Sequence, residues 1–361
     1  MDDLQELLKN EPRYRIQQIK QAVYRDLIEN WSEALTLPQS LRKQLSKEFP
    51  LPVNAKIFDS RDQKTSKALI ELQGGKKIET VLMRYAVKRN TICVSSQIGC
   101  PLACTFCATG KMGFIRNLTA DEIVNQVLLF GRVLKKEDDK VTNIVFMGMG
   151  EPFLNYDQVI KAIKILHDPE GFNLGIRHFS LSTSGITEGI EKFAKEGMEV
   201  NLAISLHASE QGLREELMPI AKKYPLTELF MAIRGYQKIT RRKVMFEYLM
   251  LQDINDSGEQ ALQLTKLLRG LSCMVNLIPY NETGVYNRIN PIYKKKSCQF
   301  DLPSTTFLQS QSNWGYKASS TQAINNFRRI LEDNHIEVAQ RYRFGEDIKA
   351  ACGQLATEKK N

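Results

Sequence analysis

Residues 91–110 read TICVSSQIGCPLACTFCATG, an apolar and β-branched run that leads straight into three cysteines spaced C-x3-C-x2-C. The run predicts a strand, so the cysteines fall at its C-terminal end, where βα folds carry their active sites. A closed zinc site takes four protein ligands, and no further Cys or His lies within zinc-finger spacing of Cys107. An iron–sulfur cube held by three thiolates leaves one iron open to a substrate or cofactor instead. The chain has seven cysteines, Cys93, Cys100, Cys104, Cys107, Cys273, Cys298 and Cys352. An odd number with three clustered together reads as metal ligation or redox chemistry rather than a disulfide framework.

Working outward, strand-like runs recur with helical segments between them: TNIVFMGMG, HFSLSTSG, VNLAISLH, KVMFEYLML and CMVNLIPY. With the first run they make six strands in βα alternation, which predicts an α/β fold on a parallel sheet. Six units are too few for a closed eight-stranded barrel, leaving a partial barrel or an open doubly wound sheet. After the cysteines, Thr119 followed three residues later by Glu122 forms a capping box ahead of an apolar helix face.

Upstream, residues 1–90 read as an N-terminal extension. Ile16, Ile19, Val23 and Leu27 recur at helical spacing, helices run to about residue 50, and KALIELQ and IETVLMRY form short strands joined by the hairpin-like QGGKK. The core then spans 91–356, followed by a polar tail at 357–361. Residues 282–320 form a long aperiodic connection in which Lys294, Lys295, Lys296 and Lys317 alternate with Tyr286, Tyr293, Phe300, Trp314 and Tyr316. That mixture suits RNA, with cations meeting phosphate and rings stacking on splayed bases, and it equally suits a loop that packs its own aromatics. The 361 residues are 42% apolar with net charge +9, which fits a polyanionic partner but also a plain basic enzyme. No run approaches the roughly 18 apolar residues of a membrane span, and the acidic, polar MDDLQELLKNEP is unlike a secretory signal. The expectation is a cytoplasmic protein.

The remaining strand ends carry polar residues. Gly148 and Gly150 in GMGEP let backbone approach a ligand, and Glu151 offers an acceptor for an amino group. Ser182 ends the third strand, Ser205 and His207 the fourth, Asn281 the sixth. Each has a plain structural alternative: a tight turn, a helix cap, a histidine satisfied by backbone. Together at one edge of one sheet they outline a cofactor pocket.

CVSSQIGCPLACTFCATG with Phe106 before the last cysteine, then GMGEP, STSG, ISLHA, NLIPYN and the terminal GEDIKAACGQLA, resembles the RlmN and Cfr family of radical S-adenosylmethionine RNA methyltransferases from about residue 10 to 356. The resemblance implies a partial (β/α)6 radical-SAM barrel behind a small helical and β extension. It implies one [4Fe-4S] cluster on Cys100, Cys104 and Cys107, and S-adenosylmethionine held by Gly150, Glu151, Ser182, Ser205, Leu206, His207 and Asn281, with two molecules used per turnover. Cys352 in ACGQLA matches the family's methyl carrier, Cys93 its resolving thiol and Glu79 its acid/base carboxylate. In that scheme a 5′-deoxyadenosyl radical takes hydrogen from the methylated sulfur, and the resulting carbon radical adds to the base. RlmN proteins act on carbon 2 of an adenine in 23S rRNA and often in tRNA, Cfr proteins on carbon 8. Pro152 after GMGE resembles the RlmN branch. Implied partners are these RNAs and an electron donor such as flavodoxin or ferredoxin, with no membrane and a monomeric chain. The 282–320 segment is longer than the family's connection. Carbon 8 specificity, and an RNA-binding protein with a structural metal, stay open as other readings.

Overall fold

The computed structural model describes residues 11–281, 283 and 315–356. Three antiparallel strands come first: β1 (Ala55–Asp59), β2 (Thr65–Glu71) and β3 (Lys77–Tyr85). The QGGKK turn closes β2 onto β3 with Glu71 opposite Lys77. β3 then pairs antiparallel with β4 (Arg89–Cys93), and from β4 onward the sheet is parallel. A separate two-stranded ribbon, β5 (Gln97–Gly99) with β6 (Phe114–Asn117), brackets the cysteine loop. The parallel run continues through β7 (Asn143–Phe146), β8 (Phe179–Thr183), β9 (Asn201–Ser205), β10 (Val244–Met250), β11 (Cys273–Pro279) and β12 (Glu337–Gln340).

All ten strands other than the ribbon form one sheet, in the order β1-β2-β3-β4-β7-β8-β9-β10-β11-β12. The α/β fold read from the sequence is therefore present, with one parallel strand beyond the six expected. β12 escapes a pattern search because it is four residues long, half-exposed and without an apolar run, as suits the edge of a sheet. The N-terminal strands continue the core sheet through β3–β4 pairing, and the 90/91 boundary falls inside β4. Residues of β10 are almost entirely buried, as expected for a strand covered on both faces.

Helices connect the parallel strands, and their caps are written in the chain. At helix Ala120–Lys136 the Thr119 hydroxyl accepts from the Glu122 N–H while the Glu122 carboxylate accepts from the Thr119 N–H, the expected capping box. Near the N-terminus, helix Arg13–Lys20 runs into a π-helical turn at Gln21–Arg25, which buries Ile19 and Val23. No helix among the described residues is long and apolar enough to cross a membrane.

Most of the 282–320 connection, including Lys294–Lys296 and Cys298, lies outside the described residues. Its C-terminal end does not. Tyr316 is buried, shares a 2.8 Å hydrogen bond with the Thr105 hydroxyl in the cysteine loop, and sets its ring edge-on to Tyr280. This ring is therefore a packing element, not a platform for a base.

Candidate functional site

A cavity of about 180 Å³ opens at the C-terminal ends of the parallel strands. Cys100, Cys104 and Cys107 line it from the loop between β5 and β6, and Cys93 lines it from the end of β4. Cys352, exposed at the surface, reaches it from the C-terminal segment.

The cysteine loop is shaped by close backbone approach. Gly99 has φ +72°, and a Cβ there would lie 1.8 Å from the Gly113 carbonyl oxygen, so only glycine closes the ribbon. Within the loop the Cys107 N–H donates to the Cys104 carbonyl, and the Thr105 N–H donates across to Leu217. Burial and mutual repulsion push the Cys100 and Cys104 thiols well above the usual range. Both hold their protons until a positive centre takes their place.

The C-terminal segment is strapped onto this loop. The Ala108 N–H donates to the Gly353 carbonyl at 2.8 Å, and the Thr109 hydroxyl donates to the Leu355 carbonyl at 2.6 Å. From the other side, the Glu79 carboxylate on β3 accepts from the Ala356 N–H at 2.9 Å and pairs with Lys67 of β2 at 3.1 Å. The Lys67 ammonium also donates to the Lys349 carbonyl. Glu79 is thus neither a solvated strand residue nor a lining residue of the cavity. In this arrangement it fastens the segment that presents Cys352.

The two thiols face the same space. Burial, reinforced by the Cys352 charge, pushes the Cys93 thiol up to about 12, and Arg341 opposes the rise. Burial raises Cys352 too, again opposed by Arg341 and reinforced by Glu247.

The other residues expected to hold a cofactor divide. Gly150, Glu151, Ser182, Ser205 and His207 line the cavity; Leu206 and Asn281 do not. The Leu206 side chain is in the core and its N–H donates to the Glu247 carbonyl. Asn281 is buried with its Oδ1 unpartnered. At Gly150 the close approach is to the chain itself, since a Cβ would lie 2.5 Å from that of Gln97, and Gly148 is pressed likewise against Val94. The Glu151 carboxylate already accepts from the Phe153 and Ser184 N–H groups and is held above the usual carboxylate range by burial. An amino group would use its remaining lone pairs. His207 accepts at Nδ1 from the Leu249 N–H, and burial beside Arg214 lowers it to about 3. It is therefore neutral, with its proton on Nε2. The Ser182 and Ser205 hydroxyls sit 3.4 Å apart.

Residues 94–265 match the Radical SAM superfamily. The "Probable dual-specificity RNA methyltransferase RlmN 2" of Protochlamydia amoebophila (strain UWE25) is 39% identical over 352 residues, covering 97% of this chain and 90% of that protein. The chain belongs to the RlmN family. The "Ribosomal RNA large subunit methyltransferase N" of Nitrosopumilus maritimus (strain SCM1) is 40% identical over 355 residues, covering 96% of the chain and 93% of that protein. The crystal structure of a radical SAM methyltransferase from Sphaerobacter thermophilus superposes with a TM-score of 0.87 at 40% identity, over 98% of this chain and 97% of that one.

Membership of the radical SAM superfamily implies a [4Fe-4S] cluster and S-adenosylmethionine. The donor set fits: three soft thiols occupy one wall of one cavity. Among the described residues no trio of Cys, His, Asp or Glu converges on a point as one metal ion would need, whereas thiolates that each take a different iron need not converge.

Three residues escaped the sequence reading, and two of them, Glu247 and Arg341, line the cavity. Arg214, fully buried, donates to the Ser184, Ser205 and Tyr224 carbonyls and so ties the ends of β8 and β9 to its own helix, with burial lowering it to about 10. Glu247 on β10 and Arg341 after β12 form an ion pair at 3.1 Å. For Glu247 a signal existed, a charged residue in the middle of the apolar KVMFEYLML. For Arg341, in the polar AQRYRF, none did.

Proposed function

We propose that the protein methylates carbon 2 of an adenine in 23S rRNA and in tRNA, with Cys352 carrying the carbon and Cys93 releasing it. The observation that carries this reading is that Cys93 and Cys352, from opposite ends of the core, line one cavity with Cys100, Cys104 and Cys107. In this reading those three cysteines are the protein ligands of the cluster, and two S-adenosylmethionine molecules are used per turnover.

Bound there, cluster and cofactor supply a methyl group and the radical chemistry that a non-nucleophilic ring carbon requires. The protein's own work is thiol chemistry. Cys352 loses its proton and its sulfur takes the methyl group, and the strap from Glu79, Ala108 and Thr109 holds that sulfur in the cavity. Once the carbon has joined the base, RNA is tethered through a thioether. Carbon 2 first gives up a proton together with the electron left unpaired by the addition, which returns to the one-electron transfer partner; the Cys93 thiolate then attacks the Cys352 sulfur, the S–S bond forms, the C–S bond breaks and the departing carbon gains a proton. Because burial holds both thiols protonated, Arg341 is the cation that favours each thiolate as it forms. Neutral His207 donates from Nε2 within the cavity, and Ser182 and Ser205 offer hydroxyls to the cofactor's polar groups. The target adenine must leave its stack to reach this depth. The 1–90 extension and the 282–320 connection hold the surrounding RNA. The enzyme works as a monomer in the cytoplasm, with a flavodoxin- or ferredoxin-type electron donor.

The test is anaerobic incubation of the reconstituted enzyme with unmodified RNA, followed by mass spectrometry of nucleosides. The expected product is adenosine methylated at carbon 2; a carbon 8 product would move the protein to the Cfr-like reading. Cys93→Ala should leave RNA covalently attached, with a nucleotide adduct on the Cys352 peptide after nuclease digestion. Normal turnover by that variant, or stoichiometric zinc without iron in the wild type, overturns the mechanism.

A further inference from the structure

Glu247 and Arg341 are drawn into the cavity by strand register. Glu247 on β10 lies directly opposite Asn276 on β11 and Ser205 on β9. The Asn276 amide donates to Glu247 Oε1 at 2.9 Å, and Arg341 Nη2 donates to the same oxygen at 3.1 Å. The other oxygen, Oε2, is buried and has no hydrogen-bond partner. Glu247 is 2% exposed and lines the cavity. A buried carboxylate oxygen without a donor is costly unless something supplies one. Arg341 lines the same cavity, and its bonds to Glu247 and to the Met147 sulfur both run through Nη2 of a group with five N–H donors. The pair therefore presents an acceptor beside a donor.

We infer that Glu247 Oε2 and the Arg341 guanidinium form a clamp for an aminopurine edge, Oε2 accepting from the 6-amino group and Arg341 donating to ring N1. Two adenines enter this enzyme, the one being modified and the one in S-adenosylmethionine. The clamp belongs to the first, because Arg341 also donates to the Met147 sulfur, two residues beyond the Val145 that pairs with Cys93, and so stands on the Cys93 side of the cavity. Gripping N1 and the 6-amino group would hold the neighbouring carbon 2 in a fixed direction relative to Cys352. This inference rests on the adenine carbon 2 reading above and adds the residues that select the base.

The experiment compares kcat/KM of the holoenzyme on RNA carrying adenosine or purine riboside, which lacks the 6-amino group, at the target position. Wild type should lose about ten- to a hundredfold on purine riboside, the range for one hydrogen bond to a buried charge. In Glu247→Gln, Asn276 and Arg341 keep the carbonyl oxygen turned inward, so an N–H replaces the acceptor. Its adenosine-to-purine ratio should fall at least tenfold below that of wild type, and any intrinsic effect of the amine on carbon 2 cancels in that comparison. S-adenosylmethionine affinity, measured by equilibrium dialysis, should be unchanged. Equal use of both RNAs by wild type overturns the clamp without touching the methyltransferase reading, and needs no variant. Weakened cofactor affinity in Glu247→Gln with an unchanged base ratio assigns the clamp to the cofactor's adenine and overturns it for the target. Failure of wild type to methylate adenosine RNA at all removes the reading beneath it.

Discussion

Lys67→Met tests whether Cys352 is held in place from β2 and β3. The Lys67–Glu79 pair is nine-tenths buried, with side chains 11% and 5% exposed. Removing one partner of such a pair costs about 3–5 kcal/mol, because the other charge stays buried and alone. The Glu79 carboxylate would keep its bond from the Ala356 N–H, and the Lys349 carbonyl would lose the Lys67 ammonium. The bonds from Ala108 and Thr109 remain. If about 2–3 kcal/mol of that cost falls on the docking of 350–356, the detached population rises about 30- to 150-fold, at 1.4 kcal/mol per factor of ten. Hydrogen exchange read by mass spectrometry should show that rise in the peptide spanning 350–356 and leave β10 unchanged. Alkylation of Cys352 should accelerate in parallel. The double variant Lys67→Met with Glu79→Gln neutralises the stranded charge and should recover most of the loss. Exchange at 350–356 within twofold of wild type in the single variant, or a double variant no better than the single, refutes the strap.

Cys100→Ala, Cys104→Ala and Cys107→Ala should each abolish turnover and cluster retention while circular dichroism stays native; full iron loading in any of them would remove the cluster assignment. Gly99→Ala drives a Cβ against the Gly113 carbonyl at a positive φ, so it should lose cluster binding through distortion of the ribbon, read as iron content per folded chain. His207 is depressed to about 3 from the usual 6.5, so the folded state binds its proton more weakly than the unfolded. Its contribution is complete above pH 6.5 and drains away as pH falls toward 3, on the order of 5 kcal/mol by linkage; His207→Gln should flatten that part of the acid-unfolding curve. Cys93 is shifted the other way, to about 12, so its contribution is complete below about pH 8.5 and is lost as pH climbs toward 12. Its alkylation should be slow at neutral pH and still rising at pH 11; a plateau near pH 8.5 would show the thiol to be unburied.

Spacing and periodicity along the chain were enough for the α/β alternation, the cysteine loop at a strand end, the helix caps and the β2–β3 hairpin, because each depends on residues a few positions apart. The family resemblance added Cys93 and Cys352, and both line the cavity. Local pattern went astray where contacts are long-range. Glu79 on a short strand looks like a solvated residue, yet pairing with Lys67 across β2–β3 and with Ala356 from the far end of the chain makes it a buried anchor. GMGEP reads as a backbone–ligand turn, and its glycines line the cavity while also packing against Gln97 and Val94, a contact no local pattern announces. The aromatic run ending at Tyr316 suggests a stacking surface, and this ring is buried against the cysteine loop.

The sequence by itself determined which chemistry the protein carries, since three thiols in C-x3-C-x2-C are a property of one short loop. Only the tertiary structure decided what surrounds that chemistry. Strand register sets Glu247 beside Asn276 and Ser205, β12 delivers Arg341 to Glu247, and the docked C-terminal segment brings Cys352 to Cys93. None of these pairings has a periodic signature, because a parallel sheet joins residues dozens of positions apart through crossovers whose lengths leave the register open. The ionisation of Cys93, Cys352 and His207 follows first from burial and then from the charges of Arg341, Glu247 and Arg214, quantities that exist only once the chain has closed around them.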